Sequence, residues 1–143
     1  MKRLTTTFVL IFAVLFSSLF ATNTKLNKED PRYAQYENNL ITGLKSDNEG
    51  LRFSSAYLLG EIKSELAVDL LTRMLRSHEN ENFRIMAALS LSKIGTDQAL
   101  YMVKRVGKFT DHTKLATFCD KFYKARTYSL PADDKVLVSS LFE

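Results

Sequence analysis

NEGLRFSSAYLLGEIKSELAVDLLTR, Asn48 to Arg73, returns 32 residues later as NENFRIMAALSLSKIGTDQALYMVKR, Asn80 to Arg105. The pairs Asn48/Asn80, Glu49/Glu81, Arg52/Arg84, Ala56/Ala88, Leu59/Leu91, Ile62/Ile94, Ala67/Ala99 and Arg73/Arg105 are identical. Within each copy the apolar residues recur three or four positions apart, which places them on one face of a helix. A helical unit repeated at such a period cannot bury its apolar face alone and must stack on its neighbours, so the sequence predicts a solenoid of helix pairs. Small residues at Ser55, Ala56, Ala87 and Ala88 let stacked backbones approach closely.

The first copy predicts helices from Leu51 to about Ile62 and from about Glu65 to Arg76. Leu51, Ser55, Ala56, Leu59 and Ile62 face inward from the first, and Ala67, Leu71, Met74 and Leu75 from the second. The second copy repeats the plan with Phe83, Ala87, Ala88, Leu91 and Ile94, then Ala99, Met102, Val103 and Val106, with Thr96 or Asp97 as the cap and Gly107 weakening the end. Upstream, Asp30-Pro31 predicts an N-cap and first helical residue, followed by Tyr33, Leu40, Ile41 and Leu44 on one face. LITGLKS there resembles LLTRMLRS, so this helix reads as the second half of a preceding repeat. Downstream, Thr110-Asp111 opens a helix with the stripe Leu115, Phe118, Cys119, Phe122, and Ser129-Leu130-Pro131 opens a last one with Val136, Leu137, Val138, Leu141 and Phe142. These two form a degenerate cap, whose aromatic residues either close the core or expose a patch to another subunit.

The strings LRFSSAYLLGEIKSELAVDLL and FRIMAALSLSKIGTDQALYMV resemble HEAT repeats, in the short form also found in phycobilisome lyases: an apolar-Arg pair, alanines, Leu-Gly, an apolar residue, Gly-Asp and Ala. The resemblance covers about 46–107. It implies an all-α fold, a right-handed α-α superhelix of antiparallel helix pairs. The two copies differ in their glycines, Gly60 standing opposite Ser92 and Gly95 opposite Lys63. No residue matches a lyase-specific motif, so the resemblance implies fold and not lyase chemistry.

Residues 1–21 read as a signal peptide, with Lys2 and Arg3 at the start, an apolar run from Phe8 to Phe16 and Ala21 at the cleavage position. The run is shorter than the roughly 20 apolar residues of a spanning helix. Cleavage with no stable membrane insertion is the expectation, and a retained anchor the alternative. Residues 22–29 form a flexible lead-in and 30–143 the helical repeat domain. The expected location is extracytoplasmic, periplasmic or secreted. With a single cysteine, Cys119, the domain must hold together by packing alone. Cys119 reads as a small buried hydrophobe, with an intermolecular disulfide as the alternative.

The net charge of +4 falls to +2 without Lys2 and Arg3, which does not suit a nucleic-acid binder. From Lys104 to Arg126, however, seven basic residues face only Asp111 and Asp120, a local net of +5. Arg52 and Arg84 read as a ladder in which each guanidinium ties loop carboxylates or carbonyls between repeats. In the second helices Asp69 aligns with Tyr101, Thr72 with Lys104, Arg73 with Arg105 and Arg76 with Lys108, all off the inward face. In HEAT-like arrays this helix lines the concave surface, so the resemblance implies partner binding by Asp69, Arg73, Arg76, Tyr101, Lys104, Arg105 and Lys108. A basic stripe of that kind suits an acidic protein surface, while charges that merely keep a helix face soluble are the alternative.

Nothing in the sequence predicts catalysis. His78 and His112 lie in inter-helix turns without a second ligand at metal spacing, and no cofactor motif occurs. Glu79/Glu81 and Asp133/Asp134 fall in turns or first helical turns, where carboxylates favour the helix dipole. The expectation is an exported, non-enzymatic scaffolding module without cofactor or metal. Its partner is a protein held on the second-helix face. The alternatives are a subunit that self-assembles into a homo-oligomer through its C-terminal end, and an accessory to an extracytoplasmic enzyme.

Overall fold

The computed structural model describes residues 28–128. The leader at 1–21, most of the lead-in and the helix expected after Ser129 lie outside the described residues. Contacts divide the chain into Met1–Asp30 and Pro31–Glu143, and the elements below belong to the second unit.

Six helices follow one another: α1 (Tyr33–Leu44), α2 (Glu49–Glu61), α3 (Val68–Ser77), α4 (Glu81–Ile94), α5 (Asp97–Phe109) and α6 (Thr113–Thr127), with a 3-10 turn at Glu65–Ala67 before α3. No strand occurs among the described residues. α2 packs on α4 and α4 on α6, while α3 packs on α5 and α1 on α2. The second helices thus form a layer beside the first, as in an α-solenoid. Leu59 and Leu91, the same position in consecutive units, are both fully buried in one core with Leu71, Leu75, Val103 and Leu115. Each such leucine contributes roughly 1.5–3 kcal/mol by leaving water.

α4 is the centre of this core. It packs against α2, α3, α5 and α6, and Ile85 through Ser92 are buried without interruption. The stripe Phe83, Ala87, Ala88, Leu91 and Ile94 faces inward, but so do Ile85, Met86, Leu89, Ser90 and Ser92. Between Ile85 and Ser92 this helix, surrounded by four others, has no wet side, and it reaches the surface only toward its ends, at Asn82, Arg84 and Lys93. Its buried hydroxyls are satisfied by neighbouring carbonyls: Ser90 Oγ donates to Ala56 O at 2.8 Å and Ser92 Oγ to Phe122 O at 3.0 Å. Gly60 makes the first contact possible, because a Cβ there would stand 2.7 Å from Ser90 Cα.

The repeats begin and end alike. Asn48 Oδ1 accepts from Leu51 N and Asn80 Oδ1 from Asn82 N, both at 2.9 Å, so the repeated asparagine is the N-cap of α2 and of α4. At the other end Lys63 and Gly95 both adopt left-handed backbone, with φ of 53° and 74°. Lys63 N donates to Gly60 O at 3.1 Å and Ser64 N to Leu59 O at 3.0 Å, a Schellman closure, whereas Gly95 N donates to Leu91 O alone at 3.0 Å. The left-handed residue is therefore shared even though the glycine and the hydrogen-bond closure are not.

Several boundaries and faces differ from the sequence reading. α1 begins at Tyr33, not Pro31, with the Arg32 carbonyl accepting its first bond from Tyr36 N; buried Tyr33, whose hydroxyl donates to Ile62 O at 3.2 Å, anchors that end. Leu51, expected to face inward, stands in the first turn of α2 and is 51% exposed. Of the two caps the sequence allows for α5, Thr96 is the one used, its Oγ1 accepting from Ala99 N at 3.3 Å. Gly107 does not end α5, which runs on to Phe109; a Cβ at Gly107 would stand 2.7 Å from Cys119 Cβ, so the glycine seats α6 against α5. α6 starts at Thr113, since Thr110 Oγ1 accepts from His112 N in a turn ahead of it. Cys119 is fully buried, and burial, opposed in part by Arg84, pushes its thiol up to about 12. The C-terminal aromatics divide: Phe122 is core, while Phe109 and Tyr128 are 72% and 73% exposed.

Candidate partner-binding face

Because α3 packs beside α5, residues at i, i+4 and i+7 on one lie near the corresponding row of the other. Asp69, Arg73 and Arg76 are exposed on α3, and Tyr101, Lys104, Arg105 and Lys108 on α5. None of the five cations joins an ion pair among the described residues. Asp69 is turned to the start of α5, where its Oδ1 accepts from Gln98 Nε2 at 3.3 Å. Thr72, in the same row, is half-buried, and its hydroxyl has no hydrogen-bond partner among the described residues.

The row on α5 splits between two sides. Arg105 and Arg76 line one hollow of about 380 Å³, together with Arg84, Met102, Val106, Phe109 and Thr110. Lys104 and Lys108 lean toward α6, where they line another of about 400 Å³ with Asp120, Tyr123, Lys124 and Tyr128. Lys104 Nζ lies 5.1 Å from the Tyr123 ring centre and Lys108 Nζ 5.5 Å from that of Phe109, contacts that hold an ammonium over an aromatic face. A third hollow, about 380 Å³, runs along α5 between Tyr101, Lys104, Arg105, Lys108 and Phe109. The carboxylate nearby, Asp120, is engaged by Lys124 Nζ at 2.8 Å. That hydrogen bond, with its charge, holds Lys124 above the usual lysine value. The structure therefore brings Arg76 together with Arg105, and Tyr101 with Lys104, Arg105 and Lys108, while Asp69 and Arg73 line none of these three hollows.

The arginine ladder holds at one rung. Arg84 Nε donates to Leu75 O in the last turn of α3 at 3.0 Å. Arg52 makes no such bond among the described residues; its Nε is buried without a partner and its guanidinium lies 5.3 Å over the Phe83 ring. Phe83 is also stacked by His78 at 4.3 Å and met edge-on by Phe53 at 5.3 Å, so the ring takes the place a carbonyl takes for Arg84. A different rung appears at Glu61 and Lys93, equivalent positions one repeat apart, which form a salt bridge between α2 and α4. Sequence reasoning missed Arg84 and Phe109 as lining residues of the face.

Among the described residues no group of three histidine, cysteine, aspartate or glutamate side chains is placed to share a metal ion. No described helix is long and apolar enough to cross a membrane.

A stack of antiparallel helix pairs with an exposed second-helix layer defines an α-solenoid repeat protein. The family model for HEAT repeats matches residues 37–111, more than half of the chain, and the protein belongs to the HEAT-repeat family. The match begins within α1, which counts that helix among the repeats. No curated protein and no solved structure matches the chain. HEAT repeats serve in general as protein-interaction and scaffolding modules.

Proposed function

We propose that this HEAT-repeat protein acts outside the cytoplasm as a scaffolding module that holds an acidic partner protein on the exposed face of α3 and α5. The observation behind this reading is that Arg73, Arg76, Lys104, Arg105 and Lys108 stand exposed on two packed helices, unpaired among the described residues. Such a face offers fixed charge at fixed spacing, so little ordering entropy is lost when a partner docks. The module works by holding and orienting, without catalysis of its own. Crosslinking in the native host and identification of the captured protein tests this. Reversal of Arg73 and Lys104 to glutamate should abolish capture, and undiminished recovery would refute the face. The leader reading is tested by the mass of the exported chain, which should lack 1–21; a membrane-bound product retaining them would make it an anchor.

A second reading, self-association, is favoured by the exposed rings of Phe109 and Tyr128. Light scattering would then show a multimer that Phe109→Ser with Tyr128→Ser converts to monomer.

A further inference from the structure

Three arginines from three helices, Arg76 of α3, Arg84 of α4 and Arg105 of α5, converge on one hollow whose lining contains no carboxylate. The rest of its wall is Met102, Val106, Phe109 and Thr110, so one part is cationic and the other apolar. Arg84 is half-buried, and its Nε is fixed on Leu75 O at 3.0 Å while both Nη groups have no partner among the described residues. A guanidinium held at one edge is pre-set for bidentate bonding at the other. Phe109, although apolar, is 72% exposed beside it.

We infer that this hollow is a carboxylate pocket: it takes an aspartate or glutamate side chain of the partner protein together with an adjoining apolar side chain, the carboxylate lying among the three guanidinium groups and the apolar group over Met102, Val106 and Phe109. The inference deepens the reading of the α3–α5 face as a protein-binding surface and rests on it. Charge complementarity selects an anion, and the apolar wall selects what the anion is attached to. Free phosphate would leave Met102, Val106 and Phe109 wet. A flat bilayer surface does not enter a recess between helices. The volume of about 380 Å³, equal to roughly a dozen waters, suits two side chains.

The test is fluorescence anisotropy of the full chain with a fluorescein-labelled hexapeptide of alternating glutamate and leucine. Binding should weaken at least about tenfold when glutamine replaces the glutamates, and by a similar factor in Arg76→Gln and Arg105→Gln, as expected for loss of a charge-assisted bond. Hexaglutamate should bind more weakly than the mixed peptide, and Phe109→Ser should erase that difference. Arg84→Lys, which keeps the charge but loses the fork, should also weaken binding. Lys45→Gln, at the end of α1 and outside the face, should change it less than about twofold, and thermal melts confirm that each variant is folded. Wild-type affinity in Arg76→Gln and Arg105→Gln, or equal binding of hexaglutamate, overturns the pocket. So does binding of phosphatidylglycerol vesicles that depends on the three arginines while the peptide fails to compete. If no acidic peptide binds but reversal of Arg73 and Lys104 still abolishes partner capture, the pocket falls and the face stands. If neither effect is seen, both fall.

Discussion

Lys63 adopts a backbone conformation that L side chains avoid because Cβ crowds the following carbonyl, at a cost of about 1–2 kcal/mol. Its equivalent one repeat on, Gly95, meets no such cost. Lys63→Gly should therefore stabilise the protein, by about 0.5–1 kcal/mol once the greater chain entropy of glycine is set against the relief. Gly95→Ala should destabilise it by about 1–2 kcal/mol, since the new Cβ would also stand 2.7 Å from Arg126 Nε. Urea titration of both variants measures the two signs. Glu61 offers a prediction in pH. Burial alone would raise its carboxyl, but the hydrogen bond and charge of Lys93, with a hydrogen bond from Tyr57, outweigh it and hold the group below its ordinary value of 4.5. A depressed carboxylate contributes stability above the unfolded value and loses it as pH falls through the folded one. The melting-temperature advantage of the wild type over Lys93→Met should accordingly be constant at neutral pH and vanish as the pH falls below about 4.5. An advantage that persists at pH 2 would show that Lys93 acts through packing over Tyr57 instead, where its Nζ lies 4.7 Å from the ring centre.

At the scale of elements, the close approach of α4 to its neighbours governs what can be changed. Ala88 is fully buried there, and Ala88→Leu should cost about 1–3 kcal/mol through overpacking. Gly107→Ala should cost about as much by forcing α6 from α5 through Cys119, and thermal melts of the two variants check both values. The period of 32 residues made α2 to α5 legible in the sequence, since a copied pattern of Ala56, Leu59 and Ile62 can only be a copied face. It could not show that α4 is buried all round from Ile85 to Ser92, because a stripe rule looks for a wet side and that stretch has none. Leu51 departs in the opposite direction: the pattern assigns it inward, but it lies in the first turn of α2 and is half exposed. Of the candidate face, the exposed cations on α3 and α5 followed from periodicity. Arg84 did not, because Arg52 and Arg84 look alike in sequence while their partners are an aromatic ring and a helix carbonyl.

For the whole molecule, short solenoids are expected to fray from their ends, because each repeat touches only its neighbours. Here four of the six described helices pack on the same one. Amide hydrogen exchange should find α4 and the four helices packed on it opening together and slowest, and α1, packed chiefly on α2, opening first. Protection that falls off evenly from one end to the other would contradict this.

The middle of α4, from Ile85 to Ser92, is walled in on every side and shows nothing to the outside world. Variation in α4 must be absorbed by four neighbours at once, whereas α3 and α5 can trade one exposed residue for another at small expense to the core. New partners can thus be tried on the surface of such a protein while its inner column stays as it is.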